Sequence, residues 1–258
     1  MKNFISVLFA VCSISLGQSQ VINFSDINFK NALVNHTPVI DLNHNGNIEI
    51  SEAQLAPVIS VDNKGINNVS GLSNFTNLQV LSCQYNSIST LNLSNLTHLI
   101  SVYAGNNNIN SIILNNLPSL NTLYCENNAL SSINLSQVQN LHWLVCNNNN
   151  LSAINISSLS PLDHFYCWNN NLTTIDLTNS INLQFLLCQN NHISNLDLSN
   201  CPNIYSFWGH NNSLTHLNIK NNQFFNDSNN FSVSDNPYLE SICCDIGEIP
   251  FINNYLNK

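Results

Sequence analysis

The chain has no arginine and only five lysines among its 258 residues. It cannot line up the cations that neutralise a run of phosphates, so nucleic acid is excluded as a partner. An anionic membrane surface is excluded for the same reason. Charged residues make up 7% of the chain, far below the roughly 25% of an ordinary soluble domain. Charge-driven disorder is also excluded, because 43% of the residues are hydrophobic. Uninterrupted apolar runs are short, and none reaches the ~18 residues that cross a bilayer. No G-x-S-x-G, H-E-x-x-H or phosphate loop occurs.

What the chain has in abundance is asparagine, 54 residues, with apolar residues spaced regularly between them. That spacing separates it from a low-complexity tract. At the N-terminus, Met1-Lys2-Asn3 starts positive, Phe4 to Leu16 is almost continuously apolar, and Ser15-Leu16-Gly17 offers small residues for cleavage. Residues 1–17 are therefore expected to be an export signal, and the mature chain to be secreted, extracellular or at the cell surface. Cys12 does not make a lipoprotein site, since Val11 stands where a small residue should precede it.

Self-comparison finds a repeat of 21 residues, L-x-x-L-x-C-x-x-N-x-L-x-x-L-x-L, starting at Leu78, Leu99, Leu120, Leu141, Leu162, Leu183 and Ile204. Its ninth position is always Asn: Asn86, Asn107, Asn128, Asn149, Asn170, Asn191 and Asn212. Alternation of side chains along a strand predicts a short strand at the third to fifth positions, with the fourth and sixth pointing inward. The Asn column ends each strand, where an amide can satisfy turn backbone that would otherwise be buried unpaired. The eleventh, fourteenth and sixteenth positions return the chain along the convex side.

From Val58 to Cys244 this pattern resembles the leucine-rich repeat family, in the short form of secreted, internalin-like bacterial proteins. The resemblance implies a mainly β solenoid of 21-residue units with a parallel concave sheet, a short helical N-terminal cap and a C-terminal cap. The expected layout is a cap at 18–57, repeats at 58–228, and a last irregular repeat with a covering segment at 229–258. The cap, with Ile66-x-x-Val69-x-Gly71-Leu72 after it, is similar to those of secreted flavobacterial members.

Within the cap, Asp41 to Glu52 matches the twelve-residue EF-hand loop, with Asp41, Asn43, Asn45, Asn47, Glu49 and Glu52 as candidate ligands and Gly46 at the sharp turn. Asn at the third and fifth places weakens the charge, so the expectation is calcium binding near 10⁻⁴ to 10⁻³ M, roughly the extracellular range. The alternative is a metal-free turn that starts the solenoid. No other cofactor is expected.

Five cysteines, Cys83, Cys125, Cys146, Cys167 and Cys188, occupy the inward sixth position. Neighbours in a parallel sheet stand about 4.8 Å apart, too far for a disulfide, which predicts buried free thiols. Cys201, Cys243 and Cys244 are less constrained, and an exported chain could oxidise a pair. His142, His164 and His210, with Asp163 and Glu126 nearby, do not place a nucleophile, base and orienting acid together, so no enzyme is expected.

The third, fifth and seventh positions face outward on the concave sheet and hold all three tryptophans. Tyr103, Tyr124, Trp143, His164, Tyr166, Trp168, Phe185, Trp208 and His210 form the candidate site, a patch of order 300 Å², the size of an interaction surface. The expected function is recognition of protein, peptide or glycan. A glycan would stack on Trp143, Tyr166, Trp168 and Trp208, whereas a protein would bury the same rings as anchors. The alternative is a structural extracellular spacer with no specific ligand.

Overall fold

The computed structural model describes residues 20–256, so the export signal expected at 1–17 lies outside the described residues. The concave face is a parallel sheet of nine strands: β1 (Val58–Ser60), β2 (Val80–Ser82), β4 (Ser101–Tyr103), β6 (Thr122–Tyr124), β7 (Trp143–Val145), β8 (His164–Tyr166), β9 (Phe185–Leu187), β11 (Ser206–Trp208) and β13 (Phe231–Ser232). They lie in chain order, each beside the next. The register carries one inward column through every repeat, pairing Leu81, Val102, Leu123, Leu144, Phe165, Leu186, Phe207 and Phe231 in turn. All eight are fully buried. Strands this short hold only because stacking removes each repeat's apolar edge from water, so stability lies between repeats and not within them.

The convex side carries two smaller parallel sheets, β3 (Thr90–Asn92) with β5 (Ser111–Ile113), and β10 (Asn195–Asp197) with β12 (His216–Asn218) and β14 (Ser241–Cys243). The central residues Leu91, Ile112, Leu196 and Leu217 are buried, so the chain returns with its apolar side chains inward.

The ninth-position amides act as staples between repeats. Asn149 Nδ2 donates to the carbonyls of Cys125, Cys146 and Asn147 at 3.0, 3.1 and 3.3 Å, while its Oδ1 accepts Leu130 N–H at 2.9 Å. Asn236 makes the same set at the last repeat, donating to Gly209, Val233 and Ser234 and accepting from Leu214. That repeat is 24 residues from its neighbour, Phe207 pairing Phe231, and the longer step takes Asn236 out of the regular spacing. A second Asn column precedes the first. Asn106, Asn127, Asn148, Asn169, Asn190 and Asn211 all turn through the left-handed region, φ 51° to 58°, which Asn tolerates better than other side chains. Their amides also pair along the stack, Asn148 donating to Asn127 at 2.7 Å and Asn169 to Asn148 at 2.6 Å.

At the N-terminal end, helix α1 (Ile27–Val34) buries Phe29 and Leu33 against the first repeat. Asp26 caps it: Oδ1 accepts Asn28 and Phe29 N–H, and Oδ2 accepts Asn67 and Asn68 N–H, tying helix and repeat together. Gly71, at φ 92°, lets Ile22 and Phe24 close on the backbone, since a Cβ there would lie 2.9 Å from both side chains. A short helix α2 (Ile50–Ala53) follows the acidic loop. At the other end, α3 (Ile249–Leu256) follows a tight turn in which Glu248 accepts Phe225 and Asp245 N–H.

Candidate functional site

In-register stacking brings the aromatic side chains of the concave sheet into a ladder. Trp143 and His164 lie parallel with centroids 3.6 Å apart, His164 and Phe185 stack at 4.5 Å, and Tyr124 stacks beyond Trp143 at 6.4 Å. At the fifth position Tyr103 tilts against Tyr124 at 5.3 Å, and Tyr166 meets Trp143 edge-on at 6.3 Å and Trp168 at 5.8 Å. Trp208 tilts against His210 at 6.0 Å.

The ladder corrects the picture of rings standing free in solvent. Trp208 is 36% exposed, but Tyr103, Tyr124, Trp143, His164, Tyr166, Trp168, Phe185 and His210 are half-buried. Trp143, His164 and Phe185 cover one another's faces, while the other rings meet tilted or edge-on and are flanked by smaller side chains such as Val145 and Leu187. Val145, between Tyr124 and Tyr166 in the register, is buried outright.

The seventh position forms a separate row, made continuous by backbone hydrogen bonds such as Asn127 N–H to the Asn147 carbonyl and Asn148 N–H to the Trp168 carbonyl. It runs Asp62, Gln84, Gly105, Glu126, Asn147, Trp168, Gln189, His210. Asp62 is satisfied by the Ser82 hydroxyl and Gln84 N–H. Farther along, Glu126 Oε2, Asn147 Oδ1, Gln189 Oε1 and His210 Nδ1 are buried without a hydrogen-bond partner. Burial holds the Glu126 carboxyl above the usual carboxylate range. Sequence reasoning placed Glu126, Asn147 and Gln189 on this face but not in the site. Alternation alone shows which side chains point outward and not which lack a partner.

Asp163 sits between two imidazoles, its Oδ2 3.2 Å from His142 Nδ1 and its Oδ1 bonded to His164 Nδ1. This fixes the His164 ring within the ladder. Among the described residues no serine or cysteine side chain is hydrogen-bonded to either imidazole.

In the acidic loop, Asp41, Glu49 and Glu52 are buried. Asp41 accepts Asn45 and Gly46 N–H, and Glu52 accepts Leu42, Asn43 and Glu49 N–H. The amides of Asn43 and Asn45 donate to Glu49, and Asn47 Oδ1 accepts the Lys30 ammonium. Among the described residues no three His, Cys, Asp or Glu converge as a preformed metal site. The donor set nevertheless suits a hard cation, with three carboxylates and three amide oxygens in one loop. Glu52 is pushed up by burial and then by Glu49, while Glu52, followed by Asn45, holds Glu49 down. The two carboxyl groups thus oppose each other's ionisation, Glu49 taking the charge more readily than Glu52.

The cysteine column is buried and every described cysteine is a free thiol. Burial pushes Cys83, Cys146 and Cys188 up to about 12. Cys243 is exposed and Cys244 half-buried at the C-terminal end.

No protein-family model matches the chain, and no curated protein matches it. Among solved structures, internalin C2 from Listeria monocytogenes superimposes with a TM-score of 0.61 at 24% identity, covering 86% of this chain and 94% of that one. The plant peptide hormone receptor RGFR1 in complex with RGF2 gives a TM-score of 0.52 at 24% identity, over 57% of this chain and 26% of that one. Among the described residues no helix is long and apolar enough to cross a membrane. The parallel sheet, the 21-residue register and these likenesses make the fold a leucine-rich repeat solenoid of the internalin kind.

Proposed function

We propose that this chain is an exported binding module that recognises a protein, through an extended peptide segment, on its concave sheet. The observation that carries the reading is the ladder from Tyr103 to Trp208, which gathers the chain's tryptophans on one face of an otherwise Asn-rich surface. Self-stacked rings favour protein over glycan. A sugar ring needs an uncovered aromatic face, and Trp143 already gives one face to His164, whose far face is taken by Phe185. Ring edges suit the side chains of a peptide laid across the strands. The RGFR1 complex supports the reading by likeness of fold, and the apolar start at Phe4 to Leu16 supports export. A spacer without a ligand would have no need to keep its rings on one face.

The acidic loop is proposed as a weak calcium site that steadies the N-terminal cap. Binding would require Glu52 to exchange its backbone partners for the ion.

The test is to pan the full chain against a phage-displayed peptide library and, in parallel, a glycan array, repeating both with Trp208→Ala and Tyr103→Ala. Peptide binding lost in these variants supports the proposal. Binding to glycans alone, or peptide binding that ignores both substitutions, overturns it.

A further inference from the structure

The seventh-position row contains more buried polar atoms than its neighbours satisfy, three of them oxygen acceptors. Glu126 Oε2, Asn147 Oδ1, Gln189 Oε1 and His210 Nδ1 are all buried and unpaired. Asn147 and Gln189 are 3% and 8% exposed, so both side chains are withdrawn from bulk solvent. A buried polar atom without a partner is costly and uncommon in folded proteins, and four in one row of a single sheet edge call for a cause beyond local packing. Their order is symmetrical about an aromatic ring: Glu126 and Asn147 on adjacent strands, then Trp168, then Gln189 and His210 on adjacent strands.

The row is also shaped around its carboxylate. Gly105 stands beside Glu126, and a Cβ built on it would collide with the Glu126 carboxyl group. Any other residue would push that carboxylate out of the row. Among the described residues no lysine occupies an outward concave position, since the three lie at Lys30, Lys64 and Lys220. What is missing is therefore a positive group with several N–H donors, and the described residues do not supply one.

We propose that this row receives a basic side chain, Lys or Arg, from the bound peptide segment, an inference that rests on the concave-face reading above. The ammonium or guanidinium pairs with Glu126, donates to Asn147 Oδ1 on the adjacent strand, and lies against the Trp168 ring, where cation–π attraction adds to the pairing. Half-buried Glu126 and Trp168 form the mouth of the row, and rotation of these two side chains admits the ligand. An acidic ligand meets repulsion from Glu126 and finds no compensating cation.

The test uses synthetic peptides from the library selection, read by fluorescence polarisation against the full chain. Selected sequences are expected to share a Lys or Arg. Replacing that Arg by citrulline, or acetylating that Lys, should weaken binding at least about tenfold, the scale of a charged hydrogen bond. Glu126→Gln, with an unchanged melting temperature, should weaken it by a similar factor, while Trp168→Phe should weaken it less than Trp168→Ala. The peptide substitutions keep the test valid if Glu126→Gln disturbs the fold. Peptides that bind the face without a basic residue, or that tolerate both changes within about twofold, overturn this inference and leave the concave-face reading standing. No peptide binding, or binding to the glycan array alone, overturns both.

Discussion

Trp143 and His164 lie ring on ring, 3.6 Å between centroids and 10° from parallel, because the register sets them side by side on neighbouring strands. Asp163 bonded to His164 Nδ1 locks the second ring in place. Trp143→Ala is expected to lower stability by about 1 to 3 kcal/mol, since it removes the face stack on His164 and the edge contact with Tyr166 from a half-buried ring. Trp208→Ala, at a more open place, should stay within about 1 kcal/mol. Leu144→Ala, one residue from Trp143 and fully buried, should cost about 2 to 5 kcal/mol. Denaturant titration measures all three, and equal losses for Trp143 and Trp208 would show that the ladder adds nothing.

The two Asn columns should respond differently. Asn149→Ala takes a buried donor from the Cys125 and Cys146 carbonyls and leaves the Leu130 N–H without its partner, while the Asn147 carbonyl keeps Asn127 N–H, and a loss of about 2 to 5 kcal/mol is expected. Asn148→Gly keeps the left-handed turn and loses exposed amide pairs only, so it should change stability by less than about 1 kcal/mol. A reversed order would contradict the assignment of the ninth position as the staple.

Calcium at about 5 mM should raise the melting temperature, because an ion bound by the folded state alone stabilises it. Glu52→Gln should abolish the rise. The effect should also depend on pH with a definite sign. Glu52 is raised in the folded state, so its contribution is full at low pH and lost as pH rises through its folded value. Calcium relieves that loss, and its effect should be larger at neutral pH than near pH 4.5. Identical melting curves with calcium and with chelator at both pH values would leave the loop as a metal-free turn.

Asp26 predicts acid lability of the N-terminal cap. Burial pushes its carboxyl up, but the backbone N–H groups of Asn67, Phe29, Asn68 and Asn28 outweigh this and the net shift is down. A lowered carboxylate stabilises the fold above its unfolded pKa of about 3.9, and that stability disappears as pH falls through the lower folded value. Hydrogen exchange in α1 should therefore rise below about pH 4, ahead of the central repeats. Asp26→Asn should show the faster exchange at neutral pH.

The thiols separate by place. Native protein at pH 8 should label at Cys243, and more slowly at Cys244, while Cys83, Cys125, Cys146, Cys167 and Cys188 react after denaturation without reductant. Mass spectrometry of labelled peptides reads this directly, and a disulfide within the column would contradict the strand spacing.

The amino-acid sequence by itself determined the solenoid. An unbroken spacing of 21 with Leu at fixed places leaves one way to bury every apolar stripe, and the strand positions, the inward cysteines and the Asn column follow from side-chain alternation. It also determined which residues share the concave face. The tertiary structure decided how those residues meet. Ring stacking between Trp143 and His164, the burial of Val145, and the unpaired row of Glu126, Asn147, Gln189 and His210 depend on neighbours that come from other repeats. The same holds for Asp26, whose second oxygen reaches Asn67 and Asn68, and for Asn236, shifted by a 24-residue step. Periodicity reports the direction of a side chain. Whether that side chain is covered, stacked or left without a partner is set by the shapes beside it, and only packing brings those together.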